Sequence, residues 1–190
     1  MFEMKKLSEI ADVYTGVRLS RVQSSNTEKM PVLKRTSQEN SFKLDFEMEE
    51  ISEDINPKFL SEKDDILILL SGTYNIIKME KKGYVIPMYY AIVRVKYGYD
   101  ANFIYHVLKN DVFPRELHKL MEGSKLRIIK TRDLKEMTLP IPDYPMQREY
   151  GDLLKYMDRR INLKKEAIQI EEEIQQSVLD NLLKEGLHDG

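Results

Sequence analysis

Residues 145–186 read PMQREYGDLLKYMDRRINLKKEAIQIEEEIQQSVLDNLLKEG, with no proline after the first position and, before Gly186, only Gly151. Nothing in that stretch breaks a helix, and at about 1.5 Å per residue the helix spans about 60 Å. A domain built from the rest of the chain is too small to lie along all of it, so part of the helix projects. Its apolar residues form two stripes at 100° per residue. Tyr150, Leu154, Met157, Ile161, Ile168, Leu179 and Leu183 share one face, while Leu163, Ala167, Ile170 and Ile174 lie nearly opposite in the middle. A helix that is apolar on two sides needs two partners. One can be the chain's own domain, and the other must be a second helix.

Working back from Pro145, the pattern changes to short mixed elements. Met137 to Ile141 is a strand closed by Pro140 and Pro142, and Thr131 to Glu136 suits a capped turn. Asn102 to Lys109 has helical spacing, which Arg115 to Met121 continues up to Gly123. Asp64 to Leu70 is a continuous apolar run of strand length, read as a buried strand that ends at the loop Ser71-Gly72-Thr73. Ile76 to Met79 and Tyr84 to Met88 flank Lys81-Lys82-Gly83 in the manner of a hairpin, and Ala91 to Val95 is a further strand. Val32, Leu33 and Phe42 to Phe46 read as short strands, and Ser8 as the cap of a short helical turn. The expectation is an α+β chain: a mixed globular domain over 1–145, then a long helix over 146–190 that forms a coiled coil with a partner helix.

The 190 residues carry 30 Lys+Arg against 32 Asp+Glu, net −2, which excludes a strongly basic, histone-like binder. Resolved along the chain, the balance is uneven. Residues 1–145 hold 23 bases and 22 acids, and 146–190 hold 7 and 10. Within the first part, Glu39 to Asp65 has 10 acids against 3 bases, which leaves the remainder at net +8. A phosphate-binding face needs such a body. Cysteine is absent, which removes disulfides, thiolate metal sites and cysteine nucleophiles together. The start of the chain has no apolar signal-peptide core, and the longest apolar run, Ile66 to Leu70, is far short of the roughly 20 residues of a membrane span. A cytoplasmic location without membrane contact is the expectation.

Catalytic signatures are missing. There is no GxxxxGK[ST] phosphate loop, no GxGxxG and no HExxH, and His106, His118 and His188 have no metal-site spacing. Asn56-Pro57-Lys58-Phe59 is similar to the base-holding motif of amino-methyltransferases but lacks its second proline and a preceding cofactor glycine motif. Asp65 with Glu80-Lys81-Lys82 imitates a nuclease D…ExK pattern, a match that chance supplies in a chain 33% charged.

Several segments, taken in order, resemble the specificity (S) subunit of type I restriction-modification enzymes. They are Lys6-Leu7-Ser8-Glu9-Ile10-Ala11 followed by Gly16, and Asp65-Ile66-Leu67-Ile68 with Ser71-Gly72-Thr73, where Asp64 stands in place of the family's glycine. Asn102 to Leu108, Met121 to Ser124 with Leu134 and Leu139-Pro140-Ile141-Pro142, and Gln147-Arg148-Glu149 with Leu153, Leu154 and Met157-Asp158 complete the series. The acidic residue that the family places before Gln147 is Met146 here. Full-length members carry two recognition domains and two long helices, so the chain is similar to a half-length form.

The resemblance implies a non-catalytic target recognition domain that reads one half of a bipartite duplex DNA site. It implies a helix that pairs to set the spacing and docks the methyltransferase (M) subunits, with a restriction (R) subunit cleaving separately. The chain itself would need no cofactor, since S-adenosylmethionine belongs to the M subunit. A half-length chain would dimerise with a second copy of itself and read a split palindrome. Candidate DNA-binding residues are Arg18, Arg21, Thr73, Tyr74, Asn75, Lys78, Tyr89, Ser124, Lys125, Arg127 and Lys130. Candidate helix-pairing residues are Leu154, Met157, Ile161, Leu163, Ala167, Ile168, Ile170 and Ile174. A rival reading is an interaction protein that keeps helix docking to M or S subunits without reading DNA and so competes with or regulates restriction. A nuclease or methyltransferase in its own right is disfavoured by the missing motifs.

Overall fold

A computed structural model describes residues 2–25, 27–35, 44–71, 75–110, 113 and 129–188, with side chains in the last helix as far as Lys184. The chain divides into two compact units, Met1–Asp152 and Leu153–Gly190.

The first unit is built on a four-stranded antiparallel sheet of β2 (Ala11–Thr15), β5 (Ile66–Leu69), β6 (Ile76–Lys78) and β7 (Tyr90–Val95), in the order β2-β7-β5-β6. The run Ile66 to Leu69 is apolar at every position because β5 is central and covered on both faces. Ile66 and Ile68 join one buried cluster with Ala91, Val93, Phe103 and Leu134, while Leu67 and Leu69 join another with Leu33, Ile86 and Ile92. The first cluster is closed by α1 (Leu7–Ile10), α2 (Ala101–Lys109), α3 (Thr131–Glu136) and the antiparallel pair β1 (Glu3–Lys6) with β8 (Thr138–Ile141). A ribbon of β3 (Lys29–Leu33) and β4 (Phe46–Glu50) sits over a third cluster of Val17, Val32, Ile51, Ile55 and Val85.

One buried ion pair pins the sheet. Arg94 donates to both Asp65 oxygens (Nε 2.9 Å, Nη2 2.8 Å), to the Leu60 carbonyl at 3.0 Å, and meets Glu62 at 2.7 Å. Asp65, 1% exposed, accepts a further bond from the Glu62 backbone N–H at 2.7 Å. With every oxygen engaged, the charge is held by several donors instead of one, the condition under which a buried pair is tolerated. Asp64 just before it takes φ +69°, the left-handed region. That conformation accounts for a glycine in the family pattern, and a short Asp side chain accepts it more readily than most residues.

Three local expectations change. Ser8 lies inside α1 and caps nothing; Glu9 instead accepts from the Lys6 N–H, because the turn starts at Leu7. The strand expected over Phe42 to Phe46 is Phe46–Glu50, with residues 42 and 43 outside the described residues. Tyr84 to Met88 is not the second arm of a hairpin. β6 pairs with β5, and Val85 and Pro87 make single bridges to Val32, Leu60 and Val17. Residues 115–121 lie outside the described residues.

The long helix, α4 (Tyr144–His188), begins one residue before Pro145 instead of after it. Asp143 accepts from the Met146 N–H at 3.0 Å as an N-cap, and Pro145 occupies the first turn, where its missing N–H costs nothing. The first two turns belong to the globular unit. Along the rest, the apolar side chains of both stripes are exposed: Met157, Ile161, Leu163, Ile168, Ile170, Ile174, Leu179 and Leu183 range from 46% to 58%. Among the described residues no helix is long and apolar enough to cross a membrane.

Candidate nucleic-acid interface

Residues 84–90 are a hub. They belong to no sheet before Tyr90, yet four separate segments bond to them. Gly16 and Val17 donate to the Tyr90 and Ile86 carbonyls (2.9 and 2.8 Å), and Met88 donates back to Val17 at 2.8 Å. Leu33 donates to Val85 at 3.1 Å, Ile86 to Phe59 at 2.9 Å and Leu70 to Tyr89 at 2.9 Å. Ile129 extends the chain of contacts by donating to Leu70 at 2.8 Å. The side chains follow: the Tyr89 hydroxyl donates to the Leu33 carbonyl at 2.8 Å and that of Tyr90 to Lys34 at 3.3 Å. Gly16 is required for this closeness, since a Cβ there would sit 2.3 Å from the Ile86 and Pro87 carbonyl oxygens.

Three of the candidate DNA-binding residues follow segments tied to this hub. Arg18 and Arg21 follow Gly16, Lys130 follows Ile129, and all three side chains are exposed. Arg35 joins them, unforeseen in the sequence. Its Nη2 donates to the Ser71 carbonyl at 2.9 Å and hydroxyl at 3.2 Å, which ties the exit of β3 to the end of β5. Its sequence signal is the basic pair Lys34-Arg35 directly after a strand, a pattern whose meaning depends on which loop lies opposite. Lys34 meets Glu47 at 3.1 Å with both side chains about half exposed, a weak pair. Exposed guanidinium and ammonium groups on strand-anchored loops are suited to phosphate oxygens, and the Arg fork to a guanine edge.

Other candidates are turned inward. Asn75 is buried, and Lys78, 16% exposed, bonds to Asn102 and meets Asp64 at 3.5 Å. Tyr89 is half-buried with its hydroxyl already committed, and burial pushes that hydroxyl up to about 12. Thr73, Tyr74, Ser124, Lys125 and Arg127 lie outside the described residues. On the helix, Leu154 is half-buried, whereas Met157, Ile161, Leu163, Ala167, Ile168, Ile170 and Ile174 are exposed.

The two weak catalytic motifs have structural employment. Asp65 is the partner of Arg94, far from free, and among the described residues no group of three carboxylates or imidazoles could hold a metal. Asn56 accepts from the Lys58 N–H at 3.1 Å and caps the 3-10 turn Pro57–Phe59.

Comparison with known proteins agrees with this architecture. The family described as type I restriction modification DNA specificity domain matches residues 1–176. The type I restriction enzyme MjaVIII specificity subunit of Methanocaldococcus jannaschii is 27% identical over 84 residues, which is 44% of this chain and 20% of that protein. Among solved structures, the HsdS subunit from Thermoanaerobacter tengcongensis superposes with a TM-score of 0.62 at 14% identity, over 84% of this chain and 43% of that one. A chain from a study of complex assembly and conformational transition of the type I R-M system gives 0.66 at 15% identity, over 87% and 40%. The S subunit from M. genitalium gives 0.55 at 16%, over 84% and 40%. The chain thus spans less than half the length of each.

Proposed function

Because the chain belongs to the family of type I restriction modification DNA specificity domains, we propose that it reads one half of a bipartite DNA target and pairs with a second copy through α4 to read the other. It directs M subunits, which bind S-adenosylmethionine, and an R subunit to that target, and performs no chemistry itself. The observation that carries this reading is the long helix, whose two apolar stripes are exposed along its length beyond the globular unit. Charge supports self-pairing. Arg159, Arg160, Lys164 and Lys165 precede Glu171, Glu172 and Glu173, so two copies running in opposite directions set bases against acids, and two in parallel set like against like. An antiparallel pair has its two-fold axis across the helices, and its target is a split palindrome.

The test is a random-site duplex selection on the chain mixed with its M subunit, repeated across a salt series. A two-part site with mirror-related halves is expected, with affinity falling steeply as salt rises. Arg35→Ala should weaken binding and lower the salt slope by about 1 if it touches phosphate. Recovery of no preferred duplex would refute DNA reading and favour the competitor that only docks through the helix.

A further inference from the structure

Resting on that reading, we infer that Gln147 is a positioning residue: it locks the root of α4 onto the recognition unit and thereby sets the spacing between the two half-sites. Gln147 is one of four buried polar side chains among the described residues, and is 2% exposed. Ser61 and Asp65 serve contacts within the sheet region, whereas Gln147 joins three elements at the helix root. Its Nε2 donates to the Pro142 carbonyl at 2.8 Å, where β8 ends. Its Oε1 accepts from the Asp100 N–H at 3.0 Å, at the start of α2. Asp100 in turn caps α2 by accepting from the Phe103 N–H at 2.8 Å. One turn further along α4, Gly151 faces the same Asp100, and a Cβ there would sit 2.2 Å from Oδ1. The helix therefore comes as close to the α2 cap as a backbone permits.

An apolar residue at 147 would fill the space but leave the Asp100 N–H and the Pro142 carbonyl unpaired. It would also hold the helix less specifically, because apolar contacts are not directional. Two hydrogen bonds from one short amide restrict the rotation and axial position of the helix root. Both matter for spacing. A slip by one residue turns the stripes by 100°, away from any partner helix. A tilt of about 5° at the root moves the end of a helix of about 60 Å by about 5 Å, more than the ~3.4 Å rise of one base pair.

The chain has no cysteine, so spin labels can be placed at will. Labels at Tyr97→Cys, a fully exposed turn position, and Asn162→Cys on the helix report the joint by electron-electron distance measurement, with labelled chain diluted in unlabelled chain to suppress signals between copies. The parent should give one narrow distance. Gln147→Met, which keeps the volume and loses both bonds, should broaden or shift it, and Gly151→Ala should shift it. Gln169→Met, on an exposed part of the helix, should leave it unchanged. In site selection with the M subunit, Gln147→Met should spread one spacer length over two or more while the half-site sequences stay the same. A broad parent distance, or parent-like distances in both root variants, would overturn the inference. Broadened distances with an unchanged spacer would overturn the link to spacing. A parent chain that selects no bipartite site refutes the proposed function, while the distances still decide whether Gln147 holds the joint.

Discussion

The two units follow opposite rules. In the globular unit each strand finds its partner within the chain, β5 is covered on both faces, and the buried carboxylate of Asp65 has its donors supplied locally. In α4 beyond Leu154 the apolar residues are exposed and side-chain bonds such as Gln169 to Glu173 and Gln176 to Asp180, both 2.9 Å, are short-range. One unit has its structural reasons inside itself. The other carries an apolar pattern that is exposed, and isolated helices gain little from such local pairs, which is the ground for the proposed pairing.

The contrast can be broken by substitution. The largest effect should come from Ile170→Lys with Ile174→Lys. In a symmetric pair this removes four buried isoleucines, at about 1.5 kcal/mol each, so about 6 kcal/mol of association. Sedimentation should show a dimer become a monomer while the melting of the globular unit is kept. An unchanged assembly state would mean that this stripe is no interface. Next is Asp65→Ala, which strands Arg94 and should cost about 3 kcal/mol in denaturant unfolding. Gln176→Ala on the helix should change less than about 0.5 kcal/mol in the same assay. An effect of opposite sign concerns Tyr14, whose hydroxyl is buried without a hydrogen-bond partner. Tyr14→Phe should be neutral or stabilising by up to about 1 kcal/mol. Burial raises the Tyr14 and Tyr89 hydroxyls to about 12, above the value of about 10 in an unfolded chain. Their contribution is complete below pH 10 and is lost as pH rises toward 12, so the parent's melting temperature should fall across that window, and less steeply in Tyr14→Phe.

How much of this could be read from the sequence depended on how far each element reaches. The Ile66–Leu69 run, the helix over Ala101–Lys109, the proline-closed strand Thr138–Ile141 and the long helix are all legible because their signals are local. Tyr84 to Met88 misleads for the opposite reason. It has strand-like residues beside a glycine turn, and its bonds go to segments far away in the sequence. The candidate site divides in the same way. Arg18, Arg21 and Lys130 are exposed as expected of basic loop residues, but the inward turn of Lys78 depends on Asn102 and Asp64 lying opposite it. Arg35 gains its place through Ser71, a contact across the fold that no spacing encodes.

The hub at 84–90 also bears on the order in which the molecule folds. Its partners at Gly16, Leu33, Phe59 and Leu70 are separated along the chain, so the loop-closure entropy of bringing each of them in precedes any reward. The β5–β6 pair forms from nearby residues and can nucleate early. The hub can close only once several of its neighbours are already in place, and it then closes cooperatively. The loops carrying Arg18, Arg35 and Lys130 are therefore organised in one late step, and a lesion anywhere in Val85 to Tyr89 should disorganise all of them together while leaving the helix intact.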